Sequence, residues 1–134
     1  MKELRVPAVP ENWDTVRAFA EAALEEAECP QRASIMLLVA LEELFVNIAH
    51  YAYPDAVGDA LIQSDMRDGM AVFVLSDSGI PFDPLGRSDP DTTLTVSERP
   101  VGGLGIFMVK KSMDLFTYER TDGKNKVTIG KKIS

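Results

Sequence analysis

Between residues 31 and 53 the chain places Ile35, Leu38, Val39, Leu41, Leu44, Phe45 and Ile48 at helical spacing. So wide an apolar stripe on one helix has to be covered over most of its face. The spacing therefore predicts a long helix, Gln31 to Tyr53, at the centre of the fold. Its longest unbroken apolar run, Ile35 to Leu41, falls far short of the roughly 20 residues that span a bilayer and is closed by Glu42-Glu43. Membrane insertion is not expected. The cover has to come from the rest of a 134-residue chain, the size of one domain, 1–134, that buries enough surface to need no disulfide or metal staple.

The remaining elements are read from period and punctuation. Lys2 to Ala8 reads as a short strand stopped by Pro7 and Pro10, and Glu11 to Glu28 as a helix with Val16, Phe19, Ala20, Ala23, Leu24 and Ala27 on one side. Cys29-Pro30 breaks it, because the residue before proline disfavours the helical region. Trp13, Phe19 and Phe45 read as core. Ala60 to Met66 and Met70 to Ser76 are strands joined at Arg67-Asp68-Gly69, and Leu115 to Arg120 and Lys126 to Ile133 are strands around Asp122-Gly123. Leu104 to Met113 is a helix. From Asp77 to Gly103 four Gly, four Pro and four Asp break any period, and an irregular stretch that long in a small domain is either functional or conceals an element that the period does not reveal. The order β-α-α-β-β-loop-α-β-β lacks a repeated βαβ unit. It predicts an α+β fold, a two-layer sandwich with a mixed sheet covered on one face by helices.

Charge narrows the partners. The net charge is −7, which argues against nucleic acid, whose phosphates select basic surfaces. The acid is concentrated in residues 1–67, with 5 basic and 12 acidic side chains, whereas residues 99–134 hold 8 basic and 3 acidic. An anionic ligand is therefore expected near the C-terminal third. Lys2, Glu3 and Arg5 stand where a signal peptide needs an apolar core, and the single Cys29 makes no internal disulfide, so a cytoplasmic setting is expected.

Three segments are candidates for chemistry. Glu43 and Asn47, four apart on the long helix, project together beside apolar neighbours. A carboxylate and a carboxamide so placed suit a divalent cation or a polarised hydroxyl, although the solvated flank of an amphipathic helix also accounts for them. Asp77-Ser78-Gly79-Ile80-Pro81 follows a strand: a carboxylate there can accept from an exocyclic amine, with glycine leaving the backbone open, or the segment is a plain Asp/Ser turn. Gly102-Gly103-Leu104-Gly105 opens a helix, where bare backbone N–H groups bind phosphate oxygens, or it is a hinge. It matches neither the Walker nor the dinucleotide glycine pattern. His50, the only histidine, reads as a surface or core-edge residue.

In this order and spacing the three segments resemble the ATP-binding boxes of the GHKL (Bergerat-fold) superfamily, and more narrowly its stand-alone branch of bacterial anti-sigma factor serine/threonine kinases. The resemblance implies that Asn47 ligates Mg2+ on the phosphates of ATP and that Glu43 is the general base. Asp77 would accept the adenine amino group and Gly79 leave room for the ring. Gly103, Leu104 and Gly105 would meet the phosphates, Arg99 the outer phosphates, and Thr128 the adenine. Residues 84–103 would form a lid. Pro81 stands where many superfamily members have a second glycine, and neither a phospho-acceptor histidine domain nor a transducer domain is recognisable. The implied function is phosphorylation of a STAS-domain antagonist by an anti-sigma factor in a partner-switching pathway, with a sigma factor or other regulator as second partner and a homodimer as relatives often form. The alternative is a nucleotide-gated module that sequesters a regulator without transferring phosphate.

Overall fold

Two Asp-Gly turns set the sheet. Asp68 (φ 51°) with Gly69 (φ 77°) and Asp122 (φ 54°) with Gly123 (φ 75°) both take the doubly left-handed conformation of a two-residue hairpin. The computed structural model describes residues 1–81 and 103–133. In chain order these form β1 (Lys2–Pro7), a 3-10 turn (Pro10–Asn12), α1 (Trp13–Glu26) and α2 (Gln31–Asn47). A π-helical turn (Ile48–Ala52), β2 (Asp59–Arg67), β3 (Met70–Asp77), α3 (Gly103–Ser112), β4 (Leu115–Thr121) and β5 (Lys124–Lys132) complete the order. The strands make one sheet, β1-β2-β3-β5-β4. The sheet expected as mixed has four pairings, each antiparallel.

The α+β two-layer architecture is the one expected. Alternation along the strands sends Ile62, Phe73, Leu75, Val127 and Ile129 into the core cluster with Val16, Ala20 and Leu24 of α1 and Leu37, Leu41, Leu44 and Phe45 of α2. Trp13 closes one end, its ring centroid 6.3 Å from that of Phe45. Phe19 is half-buried against the same cluster.

The helices depart from the sequence reading in three ways. On α2 the buried positions are Ala33, Leu37, Ala40, Leu41, Leu44, Phe45 and Asn47, while Ile35 and Val39 are 53% and 60% exposed. Apolar residues occupy so much of this helix's circumference that the pattern alone does not decide which side meets the sheet. Gln31–Ala52 is, by length and hydropathy alone, apolar enough to cross a bilayer, but Leu37, Leu41, Leu44, Phe45 and Ile48 within it are buried in the core cluster. The second departure is at Ile48, where the expected continuous helix widens into the π-helical turn. Its last carbonyl, Ala52 O, accepts a hydrogen bond from Ile80 N at 2.9 Å.

The third departure is the end of α1, at Glu26 instead of Glu28. Glu28 N donates to Glu25 O at 3.0 Å and Cys29 N to Leu24 O at 3.0 Å, the paired bonds of a Schellman stop. That stop places Glu28 at φ 55°, a conformation that disfavours any residue with a Cβ. Glu28→Gly is therefore expected to stabilise the fold by about 0.5–1 kcal/mol. Urea denaturation of the two proteins measures the difference.

Candidate functional site

Glu43 and Asn47 lie one turn apart near the end of α2, and Asn47 Nδ2 donates to Glu43 Oε1 at 3.5 Å. With its amino end turned to the carboxylate, the carboxamide keeps its oxygen for another partner. Asn47 is buried and Glu43 half-buried. Desolvation raises the Glu43 pKa above its ordinary 4.5; the Asn47 hydrogen bond opposes that rise and the neighbouring Glu42 carboxylate adds to it. A carboxyl poised in this way is suited to take up a proton.

Asp77, the last residue of β3, is buried. Gly79 N donates to its Oδ1 at 2.9 Å, and Asn125 Nδ2 donates to the same oxygen at 3.0 Å. Among the described residues nothing donates to Oδ2. A buried carboxylate oxygen without a donor is costly. Around it runs a narrow cleft lined on the helix side by Leu44, Asn47, Ile48 and Ala52, and on the sheet side by Leu75, Asp77, Asn125 and Val127. Apolar walls around a buried acceptor are the chemistry that a flat ring bearing an N–H donor calls for, while the cleft itself, about 20 Å³, has room for a water and must widen to take a ring.

The segment after Asp77 is held residue by residue. Ser78 N donates to the Tyr53 hydroxyl at 2.8 Å, and that hydroxyl donates to Asp59 O at 2.7 Å. Arg120 Nη1 donates to Gly79 O at 2.8 Å and Asn125 Nδ2 to Ile80 O at 2.7 Å. Gly79 admits no side chain, since a Cβ there would stand 2.2 Å from Ala52 O. Close backbone approach is thus why glycine occupies this position.

Of the residues that the sequence singles out, Asn47 and Asp77 line one cleft, with Glu43 hydrogen-bonded to Asn47 and Gly79 to Asp77. Gly103, Leu104 and Gly105 form the first turn of α3, in which Ile106 and Val109 are buried in the core. Arg99 and the expected lid, 84–103, lie outside the described residues except for Gly103. Thr128 is not brought to the cleft: it pairs with Val74, one residue out of phase with Asp77 and Asn125, and so faces the opposite side of the sheet. The cations of the C-terminal third are also more dispersed than their sum suggests. Lys131 and Lys132 pair with Ala71 and Met70, at the other end of β5 from Asn125, and Lys131 is 3.6 Å from Asp114.

Asn125, Tyr53 and Arg120 belong to the site without any motif in the sequence to mark them. The Asp122-Gly123 turn does align Asn125 with Arg120, but the contact of Asn125 with Asp77 joins residues 48 apart, which no local pattern reveals.

The donor set fits Mg2+ in a limited sense. The described residues contain no group of three or more His, Cys, Asp or Glu side chains able to cage a metal. A carboxamide oxygen beside a carboxylate instead suits Mg2+ that brings phosphate oxygens and water with it.

Known proteins share this fold. Residues 6–131 match the family model described as the histidine kinase-like ATPase domain. Serine-protein kinases RsbW from two Staphylococcus aureus strains, bovine RF122/ET3-1 and MRSA252, are each 26% identical over 129 residues, which cover 90% of this chain and 80% of theirs. The crystal structure of the RsbU and RsbW domains of a Mycobacterium tuberculosis protein shares the fold, with a TM-score of 0.65 at 15% identity over 99% of this chain. The chain spans 33% of that longer one. With a family model matched over nearly its whole length, the chain belongs to the histidine kinase-like ATPase family, and its similarity to the RsbW proteins supports the anti-sigma kinase branch of it.

Proposed function

We propose that the protein is an ATP-binding anti-sigma regulatory factor that phosphorylates a serine or threonine of a STAS-domain antagonist and exchanges that partner for a sigma factor or comparable regulator. The observation that carries this reading is the buried Asp77 carboxylate, with Oδ2 lacking a donor among the described residues, in an apolar cleft that also contains Asn47. Adenine offers a flat apolar ring and an amino donor, and so satisfies both features at once. The RsbW relatives, named as serine-protein kinases, support the transfer step. A cytoplasmic location goes with this reading.

In this mechanism Asp77 accepts a hydrogen bond from the 6-amino group, and Gly79, whose bare backbone lets Ala52 close on it, fixes the segment after Asp77 instead of leaving room for the ring. Asn47 would hold Mg2+, which when bound neutralises phosphate charge. The N–H groups of Gly103, Leu104 and Gly105, in the first turn of α3, would meet the phosphates, where the helix dipole favours negative charge, and Arg99 would serve the outer phosphates. Glu43 takes the proton of the attacking hydroxyl. Phosphoryl transfer needs little covalent chemistry from the protein, so orientation and charge neutralisation supply most of the rate.

The deciding experiment incubates the protein and a STAS-domain antagonist with γ-labelled ATP. Label is expected on the antagonist, and Glu43→Gln is expected to slow transfer by roughly 100-fold or more, within the usual range for a general base. Protein that binds ATP and still leaves a cognate antagonist unlabelled overturns the kinase reading. The Glu43 shift gives a second prediction. Its pKa is raised in the fold, so ionising it at neutral pH opposes folding and protonating it below about pH 4.5 removes that cost. Glu43→Gln should therefore melt above wild type at pH 7, with the difference vanishing at acid pH, while transfer by wild type falls as acidification protonates the base. Gly79→Ala forces Ala52 and Gly79 apart. It is expected to destabilise by roughly 1–3 kcal/mol and to abolish the thermal shift that ATP produces in wild type.

A further inference from the structure

Asn125 is the point at which the adenine side of the cleft is fixed. Its register partner in β3 is Asp77, so the two side chains emerge on the same face of the sheet. The carboxamide nitrogen donates both to Asp77 Oδ1 at 3.0 Å and to Ile80 O at 2.7 Å. At its other end, Asn125 Oδ1 accepts the Tyr118 hydroxyl at 2.6 Å, from the diagonal position on β4. A flipped amide would set its oxygen against two acceptors, so the observed orientation is strongly determined. Through that orientation Asp77 Oδ1 is committed twice, to Gly79 N and to Asn125, and among the described residues nothing donates to Oδ2.

We infer that Asn125, oriented by the Tyr118 hydroxyl, is a positioning residue that makes the site selective for a 6-amino purine by committing one oxygen of Asp77 and reserving the other. The inference rests on the nucleotide reading above. An ionised carboxylate oxygen accepts and does not donate. Held rigidly at the ring edge, Oδ2 rewards an amino group, gains nothing from a bare C–H and repels a 6-oxo group. Were Asp77 free to turn, water or a second rotamer would satisfy it, and the penalty for the wrong base would shrink. Specificity of this kind comes from a polar group that the wrong ligand leaves unpaired. Arg120 and Tyr53 hold the neighbouring backbone but touch neither Asp77 oxygen, so their substitution does not act on the base in this way.

The test is a pair of titrations, with ATP and with the purine riboside triphosphate that lacks the 6-amino group, on wild type, Tyr118→Phe and Asn125→Leu. Wild type is expected to prefer ATP by roughly tenfold or more. Asn125→Leu should bring that ratio close to one, and Tyr118→Phe should lower it severalfold. Tyr118→Phe removes a single hydroxyl and keeps the ring, so it decides the matter even if Asn125→Leu fails to fold. A merely structural role weakens both nucleotides equally; an unchanged ratio in Tyr118→Phe, with binding of both reduced or not, overturns the inference while leaving the nucleotide site intact. Wild type that binds neither triphosphate overturns the nucleotide reading itself, and the inference with it.

Discussion

The pairing of β3 with β5 is the constraint on which the rest depends. It aligns Asp77 with Asn125 and Leu75 with Val127, and so brings one acidic and one amide side chain to the end of a face whose middle, Phe73, Leu75, Val127 and Ile129, is apolar. A slip of one residue would exchange every core side chain of β5 for one of the opposite face. Burial of Val127 and Ile129 among Phe73, Leu75 and the helices therefore secures the register, and the register secures the contact between Asp77 and Asn125. Folding energy and site geometry are the same interaction viewed at two distances.

Opposite the sheet, α2 supplies the other wall and a different compromise. Leu44 and Phe45 anchor the helix in the core, and the same turns present Glu43 and Asn47 at its edge. Glu43 is held where desolvation disfavours its charge. The Asn47 hydrogen bond offsets part of that cost.

Much of this is legible in the chain. The Asp-Gly pairs announce both hairpins because so few residues tolerate two successive positive φ angles. Glu43 with Asn47, and Asp77 with Gly79, are readable because their partners are local: four residues along a helix and two along a turn. The illegible part depends on long-range pairing. The choice of Asn125 over Thr128 is a matter of strand parity against β3, some fifty residues earlier. The exposed Ile35 and Val39 show the same limit on a helix, since a nearly all-round apolar pattern does not say which side meets the sheet. Summed charge fails for a related reason: it counts Lys131 and Lys132 with Arg120, although the strands carry them to opposite ends of the sheet.

The π-helical turn after Asn47 ties these parts together. Such a turn is equivalent to one residue inserted into an α-helix. Deleting one residue between Ile48 and Ala52 would restore regular helical winding, but it would rotate the downstream chain by about 100°. Ala52 O would leave Ile80, and Tyr53 would leave Ser78 and Asp59. The chain length across this turn is thus fixed as tightly as any side chain in the site, and a homologue that lacked the extra residue would need another way to fasten the segment after β3.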